Sequence, residues 1–410
     1  MTLESTTPPT EQFEPRWSRR ASTPGRVPFG GERAPLTLAY GFPDPALFPY
    51  ADLAAAAGRV LNDPAVGPTS LQYGNFRGVP SLLSLLASKL NHDEGLQVTP
   101  EELLITGGSS GAIGLAARAL VDEGDTVLVE APSFGGAMET FRRAGAELHP
   151  VPVGPEGIDV AGAEAVLDGL HVRGKRPRVL YTMPTFHNPT GLTVSEAQRG
   201  ALLNMARRYN LVIIEDDAYR DLYYDAHQGP LPKSLYALDR EGRVIRTGTF
   251  SKILAPGLRL GWALARPDTI TRLLLVKDEG ASTPFAQHVV VEYGKDGVLK
   301  SHVATLVDAY RRKRDAMLAA LDQFFPPEAT WTRPSGGFFI WVTLPATIDP
   351  NTLATNAREE GVDYLPGERC YCQPPAQPSN PHLRLCFSLL DLDQIEEAIK
   401  RLGRVIYSML

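Results

Sequence analysis

From about residue 100 the chain repeats one texture: a short, uninterrupted apolar run, then a stretch with helical spacing of its apolar positions. The runs are "ELLIT" (102–106), "TVLVEA" (126–131), "RVLYTM" (178–183), "LVIIED" (211–216), "RVIRTG" (243–248) and "GWALA" (261–265). Runs without polar alternation belong to strands covered on both faces, and amphipathic stretches between them predict βαβ units around a parallel sheet. After about residue 300 the pattern changes. "SHVATLVDAYRRKRDAMLAALDQFF" reads as one long basic amphipathic helix, "GGFFIWVTL" and "LRLCFS" as strands, and a last helix starts at Asp391. This predicts an α/β body followed by a smaller α+β domain. Residues 1–35, rich in Pro, Thr, Ser and Arg and without a sustained period, read as an arm.

Composition narrows the function. With 410 residues, 43% of them hydrophobic, the chain can bury one large core and a smaller second one. Its 41 basic and 47 acidic residues leave a net charge of −6 with no basic block, which argues against a nucleic-acid partner. Three cysteines, Cys370, Cys372 and Cys386, are too few and too odd in number for a disulfide framework and point to a reducing compartment. Glu4, Glu11 and Glu14 stand where a secretory signal would need an apolar stretch, and no apolar run approaches the roughly 18 residues of a membrane span. A cytoplasmic location is the expectation.

The candidate chemistry collects just after the strands. "ELLIT" leads into "GGSSGAIGLAARAL", a Gly- and Ser-rich turn opening a helix whose free N–H groups suit a phosphate. The same turn lacks the spacing of a dinucleotide or P-loop motif, so an ordinary strand-to-helix turn is an equal alternative. "TVLVEA" runs to Phe134, "RVLYTM" to Asn188 in "HNPTG", and "LVIIED" to Asp216 with Tyr219 three residues on. "RVIRTG" runs to Thr249, Ser251 and Lys252, with Arg259 seven residues beyond Lys252 and no acid between them. The carboxyl ends of parallel strands share one edge, where open α/β sheets bind ligands. Together these residues describe a ligand with a phosphate (the Gly-Ser turn, Thr249, Arg259) and an aromatic face for Phe134 to stack on. It also has a basic ring nitrogen for Asp216 and a carbonyl for Lys252 to attack. That ligand is pyridoxal 5′-phosphate.

At "TFSKILAPGLRLGW", "HNPTG" and "EDDAY" the sequence strongly resembles the fold-type I, class I/II aminotransferases of the aspartate aminotransferase superfamily, from about Leu38 onward. It is most similar to the branch containing 2-aminoadipate and aromatic aminotransferases. The resemblance implies a large domain with a mixed, mostly parallel sheet at 54–298. A smaller α+β domain would be built from 36–53 and 299–410. It implies that Lys252 is the Schiff-base lysine, that Asp216 sits against the pyridine nitrogen, and that Asn188 and Tyr219 contact the ring hydroxyl. Ser109, Ser110, Thr249 and Arg259 would bind the phosphate while Phe134 stacks on the ring. In "PHLRLCFS", Arg384 alternates against Leu383 and Leu385; the resemblance makes it the clamp for the substrate α-carboxylate, a surface salt bridge being the alternative. Gly41 would allow close backbone approach beside the substrate. Tyr73 in "LQYGNFRG" would reach the phosphate in the neighbouring protomer of a homodimer.

Two other patterns weigh less. Cys370, Cys372, His382 and Cys386 can be written as a metal set, but the spacing is not a common zinc pattern and packing thiols are the simpler reading. "RRKR" at 311–314 reads as a solvated helix face. The function expected is a pyridoxal-phosphate transaminase that takes an amino group from an amino acid and passes it to a 2-oxo acid, 2-oxoglutarate foremost, by a ping-pong cycle. Elimination, decarboxylation or oxidation on the same cofactor is the nearest rival, and a non-catalytic sensor a more distant one. The amino donor is left open: it depends on Arg16, Arg19, Arg20 and "KDEGASTPF", which departs from the longer segment of the aminoadipate enzymes.

Overall fold

The computed structural model describes residues 34–278, 280–373 and 381–410. The expected arm, with Arg16, Arg19 and Arg20, therefore lies outside the described residues except for Ala34 and Pro35. Up to residue 264 the strands are β1 (Leu36–Thr37), β2 (Leu103–Thr106), β3 (Thr126–Ala131), β4 (Glu147–Gly154), β5 (Gly157–Ile158), β6 (Val179–Thr182), β7 (Val212–Asp216), β8 (Val244–Thr249) and β9 (Gly261–Leu264). All but β1 form one eight-stranded sheet in the order β2-β9-β8-β7-β6-β3-β4-β5. β8, β7, β6, β3 and β4 are mutually parallel.

Every residue of β2, β6 and β8 is buried, as continuous apolar runs require when helices cover both faces of a sheet. "GWALA" corrects one expectation: β9 runs antiparallel to both its neighbours, β2 and β8. Its beginning, Gly261, therefore meets the carboxyl ends of Thr106 and Thr249. The connection from β8 is only eleven residues long, too short for a crossover, so the chain must double back.

The later strands are β10 (Thr330–Trp331), β11 (Phe339–Thr343), β12 (Val362–Asp363), β13 (Leu365–Pro366) and β14 (His382–Cys386). An antiparallel sheet in the order β10-β11-β14-β13 places Trp341 opposite Arg384, while β1 pairs with β12. The long helix spans Val298–Phe324 and packs along the final helix, Leu392–Tyr407. Asp391 and Gln394 cap that last helix reciprocally, satisfying N–H groups a helix start leaves unpaired. "RRKR" is only half a solvated face. Lys313 donates to Asp44 and Ser388 O, and Arg314 to Asp225 and Pro334 O, and both are buried.

Candidate active site

The carboxyl ends of β2, β3, β6, β7 and β8 and the start of β9 share one edge of the large sheet. At one corner of this edge the helix Ser109–Leu120 begins directly after β2. Its N-cap, Gly108, has φ +81°, and Gly261 presses on it: a Cβ at Gly261 would lie 2.3 Å from the Gly108 carbonyl carbon and 2.5 Å from Ser109 N. Glycine at 261 is what lets β9 close over the helix start. Arg259, at φ +52°, folds its side chain back over the same place, donating from Nη2 to Gly107 O (2.9 Å) and from Nη1 to Pro256 O (3.3 Å). Ser109 is half-buried and Ser110 exposed beside it. Thr249 Oγ1 donates to Leu260 O at 3.2 Å and lies 2.9 Å from Ser251 Oγ. An exposed guanidinium without a carboxylate partner among the described residues, set over the positive end of a helix, makes a corner that favours an anion.

The next strands supply the acid. Asp216 closes β7 and is buried; Tyr181 donates to its Oδ2 at 2.7 Å and Thr247 to its Oδ1 at 3.3 Å. Burial lifts its carboxyl to about 6 despite those two donors. The adjacent acids do other work. Glu215 accepts the N–H groups of Leu235 and Tyr236, and Asp217 accepts from Arg246. Among the described residues no group of three or more His, Cys, Asp or Glu is placed to hold a metal; Cys370 and Cys386 are buried.

Lys252, beyond β8, donates from Nζ to Gly41 O at 2.8 Å. Its amine lies 5.8 Å from the Tyr219 ring and 5.7 Å from the Phe338 ring. Burial depresses it to about 8, and the cations Arg384 and Arg259 push the same way. A lysine so depressed is a nucleophile near neutral pH. Tyr219 is buried edge-on to Phe338 and Phe339, and burial raises its phenol. Phe134 heads the helix Gly135–Arg143, half-buried, with its ring against Gly136.

Arg384 comes from the other sheet. It is buried, donates from Nη1 to Asn188 Oδ1 (2.9 Å) and from Nη2 to Ala39 O (2.5 Å), and lies 4.3 Å over the Phe339 ring. It makes no ion pair with a carboxylate among the described residues, and its buried Nε has no hydrogen-bond partner. The surface salt bridge is thus excluded as its role. An open guanidinium edge in a buried place suits a carboxylate ligand.

The structure accordingly gathers Lys252, Asp216, Asn188, Tyr219, Thr249, Arg259, Arg384, Gly41 and the Ser109 helix around one edge. Tyr73 stands apart: its side chain is 98% exposed. Its segment is held from beneath by buried Lys277 of "KDEGASTPF", which donates to Phe76 O (2.8 Å) and Gly280 O (2.6 Å). Tyr181, Thr247 and the Phe338–Phe339 wall escape a reading of strand ends, because they lie inside strands or beside them. Only the alternation of faces across β6, β7 and β8, with the pairing known, would have found the first two.

The residues present fit pyridoxal phosphate: an anion corner, a buried acid for a basic ring nitrogen, an activated amine and an unfilled guanidinium edge. They define a fold-type I pyridoxal-phosphate enzyme. Residues 48–402 match the family model described as aminotransferase class I and II. The chain is 36% identical to aromatic-amino-acid aminotransferase 1 of Thermococcus litoralis, over 90% of this chain and 88% of the relative. It is 39% identical to 2-aminoadipate transaminase of Thermus thermophilus, over 92% and 91%. The crystal structure of Pyrococcus horikoshii kynurenine aminotransferase in complex with PMP superposes with a TM-score of 0.86 at 37% identity, covering 92% of this chain and 91% of that one.

The chain belongs to the class I and II aminotransferases, within their 2-aminoadipate and aromatic branch. It is a pyridoxal-phosphate-dependent transaminase that acts on an amino acid and a 2-oxo acid. Bound, the cofactor supplies a carbonyl carbon for amine exchange and a ring that withdraws electrons from Cα. Among the described residues no helix is long and apolar enough to cross a membrane.

Proposed function

We propose that Lys252 is the lysine that holds the cofactor and, once displaced by substrate amine, moves the proton at Cα. Its depressed basicity supports this, because a group near 8 can both accept and return a proton near neutral pH. Asp216 keeps the ring nitrogen protonated, Asn188 and Tyr219 contact the ring hydroxyl, and Phe134 stacks on the ring. Ser109, Ser110, Thr249 and Arg259 bind the phosphate.

The observation that carries the substrate side is Arg384, buried, unpaired by any described acid and open at Nε. It clamps the α-carboxylate of the amino acid, and Gly41 lies beside the substrate. The second substrate is 2-oxoglutarate, and the donor falls in the range the relatives' names span, aromatic amino acids and 2-aminoadipate. Arg384→Ala should bind cofactor normally yet need roughly ten-fold to hundred-fold more amino acid for half-saturation, the loss of a charge-assisted bond of about 1.5–3 kcal/mol. Wild-type saturation, measured across a panel of amino donors with 2-oxoglutarate, would refute the clamp.

The working unit we infer is a homodimer in which Tyr73 reaches the partner's phosphate site. Leu71, Tyr73 and Phe76 are 72%, 98% and 54% exposed within six residues, an apolar cluster that a second copy would cover. The eight-stranded sheet, whose strands all fall within 54–298, and the two smaller sheets, whose strands all fall within 36–53 and 299–410, support a division into domains at those bounds. Three cysteines, too few and too odd in number for a disulfide framework, support a cytoplasmic location.

A further inference from the structure

Asp216 does not stand alone on its strand. The register sets Thr247 directly across from it on β8, while Tyr181 on β6 pairs with Ile214, two residues before Asp216. Residues two apart on a strand share a face, so Tyr181, Asp216 and Thr247 point the same way across three neighbouring strands. Tyr181 is fully buried and gives its hydroxyl to Asp216 Oδ2 at 2.7 Å, much the shorter of the two bonds the carboxylate receives. Its ring is held edge-on by Phe141, at 5.8 Å between centroids. Phe141 belongs to the helix Gly135–Arg143, which Phe134 heads, so one element sets both the stacking ring and the ring behind Tyr181.

We propose that Tyr181 is a positioning residue of the cofactor site, whose phenol holds the Asp216 carboxylate ionised and aimed, and so decides whether the cofactor ring nitrogen carries a proton. This rests on the reading that Asp216 faces that nitrogen. The chemistry is a competition for one proton between the carboxylate and the ring nitrogen. A buried carboxylate is favoured as an anion by the hydrogen-bond donors it receives and by nearby cations, and for Asp216 the two donors outrank the one cation. Thr247, at 3.3 Å, is the weaker donor. The other charges around the pair cannot substitute. Asp217, engaged by Arg246, opposes ionisation of Asp216, and Lys252 acts through space without a hydrogen bond. Glu130 and Tyr219, the remaining titratable neighbours of Tyr181, are buried as well. Burial and the adjacent carboxylate raise the Tyr181 phenol well above its ordinary range, so it remains a donor throughout the working pH.

Removing the hydroxyl while keeping the ring isolates the effect. The holoenzyme carrying Tyr181→Phe, loaded with pyridoxal phosphate labelled with 15N in its ring, should show its nitrogen resonance near neutral pH moved toward neutral pyridine. The change corresponds to a drop of roughly ten-fold or more in the ratio of protonated to unprotonated ring. kcat should fall, while half-saturation by amino acid stays unchanged because Arg384 is untouched. A protein with 4-aminophenylalanine in place of Tyr181 restores a donor of similar reach and should return the resonance toward wild type. A wild-type resonance in Tyr181→Phe, with Asp216→Asn stripping the proton in parallel, overturns the role of Tyr181 alone. A wild-type resonance in Asp216→Asn overturns the placement of Asp216 and the inference with it.

Discussion

Lys252 places its amine between the Tyr219 and Phe338 rings with one carbonyl, Gly41 O, as its hydrogen-bond acceptor. Such a site tolerates a neutral amine and disfavours an ammonium, which is why burial brings the group from 10.5 down to about 8. Proton counting gives the direction of the pH dependence. Between about 8 and 10.5 the unfolded chain binds more protons than the folded one, so the Lys252 contribution to stability rises with pH across that window. Below pH 8 the full cost of the buried charge is present. Cofactor-free Lys252→Met should therefore be more stable than cofactor-free wild type at pH 7, by up to roughly 3 kcal/mol. That figure is an upper bound, since part of the side chain reaches solvent. The difference should shrink above pH 10, as read by denaturant unfolding at both pH values. A difference independent of pH would show that the amine is solvated. Lys252 and Arg259 stood out in the sequence because two cations after an apolar run with no acid between them are anomalous, whereas Arg384 was singled out through the family resemblance. Tyr181 was not, because a tyrosine within a buried strand looks like core until its hydrogen-bond partner is known.

At the scale of elements, the segment from β8 to β9 carries Thr249, Lys252 and Arg259, and its geometry depends on Gly261 lying against the start of the Ser109 helix. The atoms a Cβ would meet there are backbone, at 2.3 and 2.5 Å, so no side-chain rotation can relieve the overlap. Gly261→Ala should cost about 1–3 kcal/mol of stability and weaken cofactor binding at the phosphate end. Spectral titration of the apoprotein with pyridoxal phosphate should show the weaker affinity, and unaltered affinity would mean that β9 can shift without disturbing the anion corner. The motif itself was plain in the sequence; the reversal of β9 was not, because burial on both faces gives a strand the same apolar run whichever way it points. β4 escaped the apolar pattern for a different reason. Pro150 and Pro152 lie within it, and prolines ordinarily mark the end of a strand. β4 tolerates them because beyond Pro152 only Val153 and Gly154 pair with β5, leaving the strand near the sheet edge.

For the whole molecule, the fold class and the gathering of the candidate residues on one sheet edge could be read from the apolar runs and the residues at their carboxyl ends, whereas Tyr73 is exposed in the single chain and the role proposed for it requires a second copy. If Tyr73 crosses to the partner, Tyr73→Ala and Lys252→Ala damage opposite chains of each site. Mixing the two variants with reassortment should then restore about a quarter of wild-type activity, because half the dimers are mixed and each of those has one intact site. Activity no greater than the average of the two parents would confine Tyr73 to its own subunit. Of the residues expected to select the side chain, Arg16, Arg19 and Arg20 lie outside the described residues, and Lys277 braces the Tyr73 loop through Phe76 O. The proposed roles all depend on Lys252 being the lysine that holds the cofactor. Borohydride reduction of the holoprotein with subsequent peptide mapping tests this directly: the pyridoxyl group should be recovered on the peptide containing Lys252, and its recovery on any other lysine would contradict the assignment.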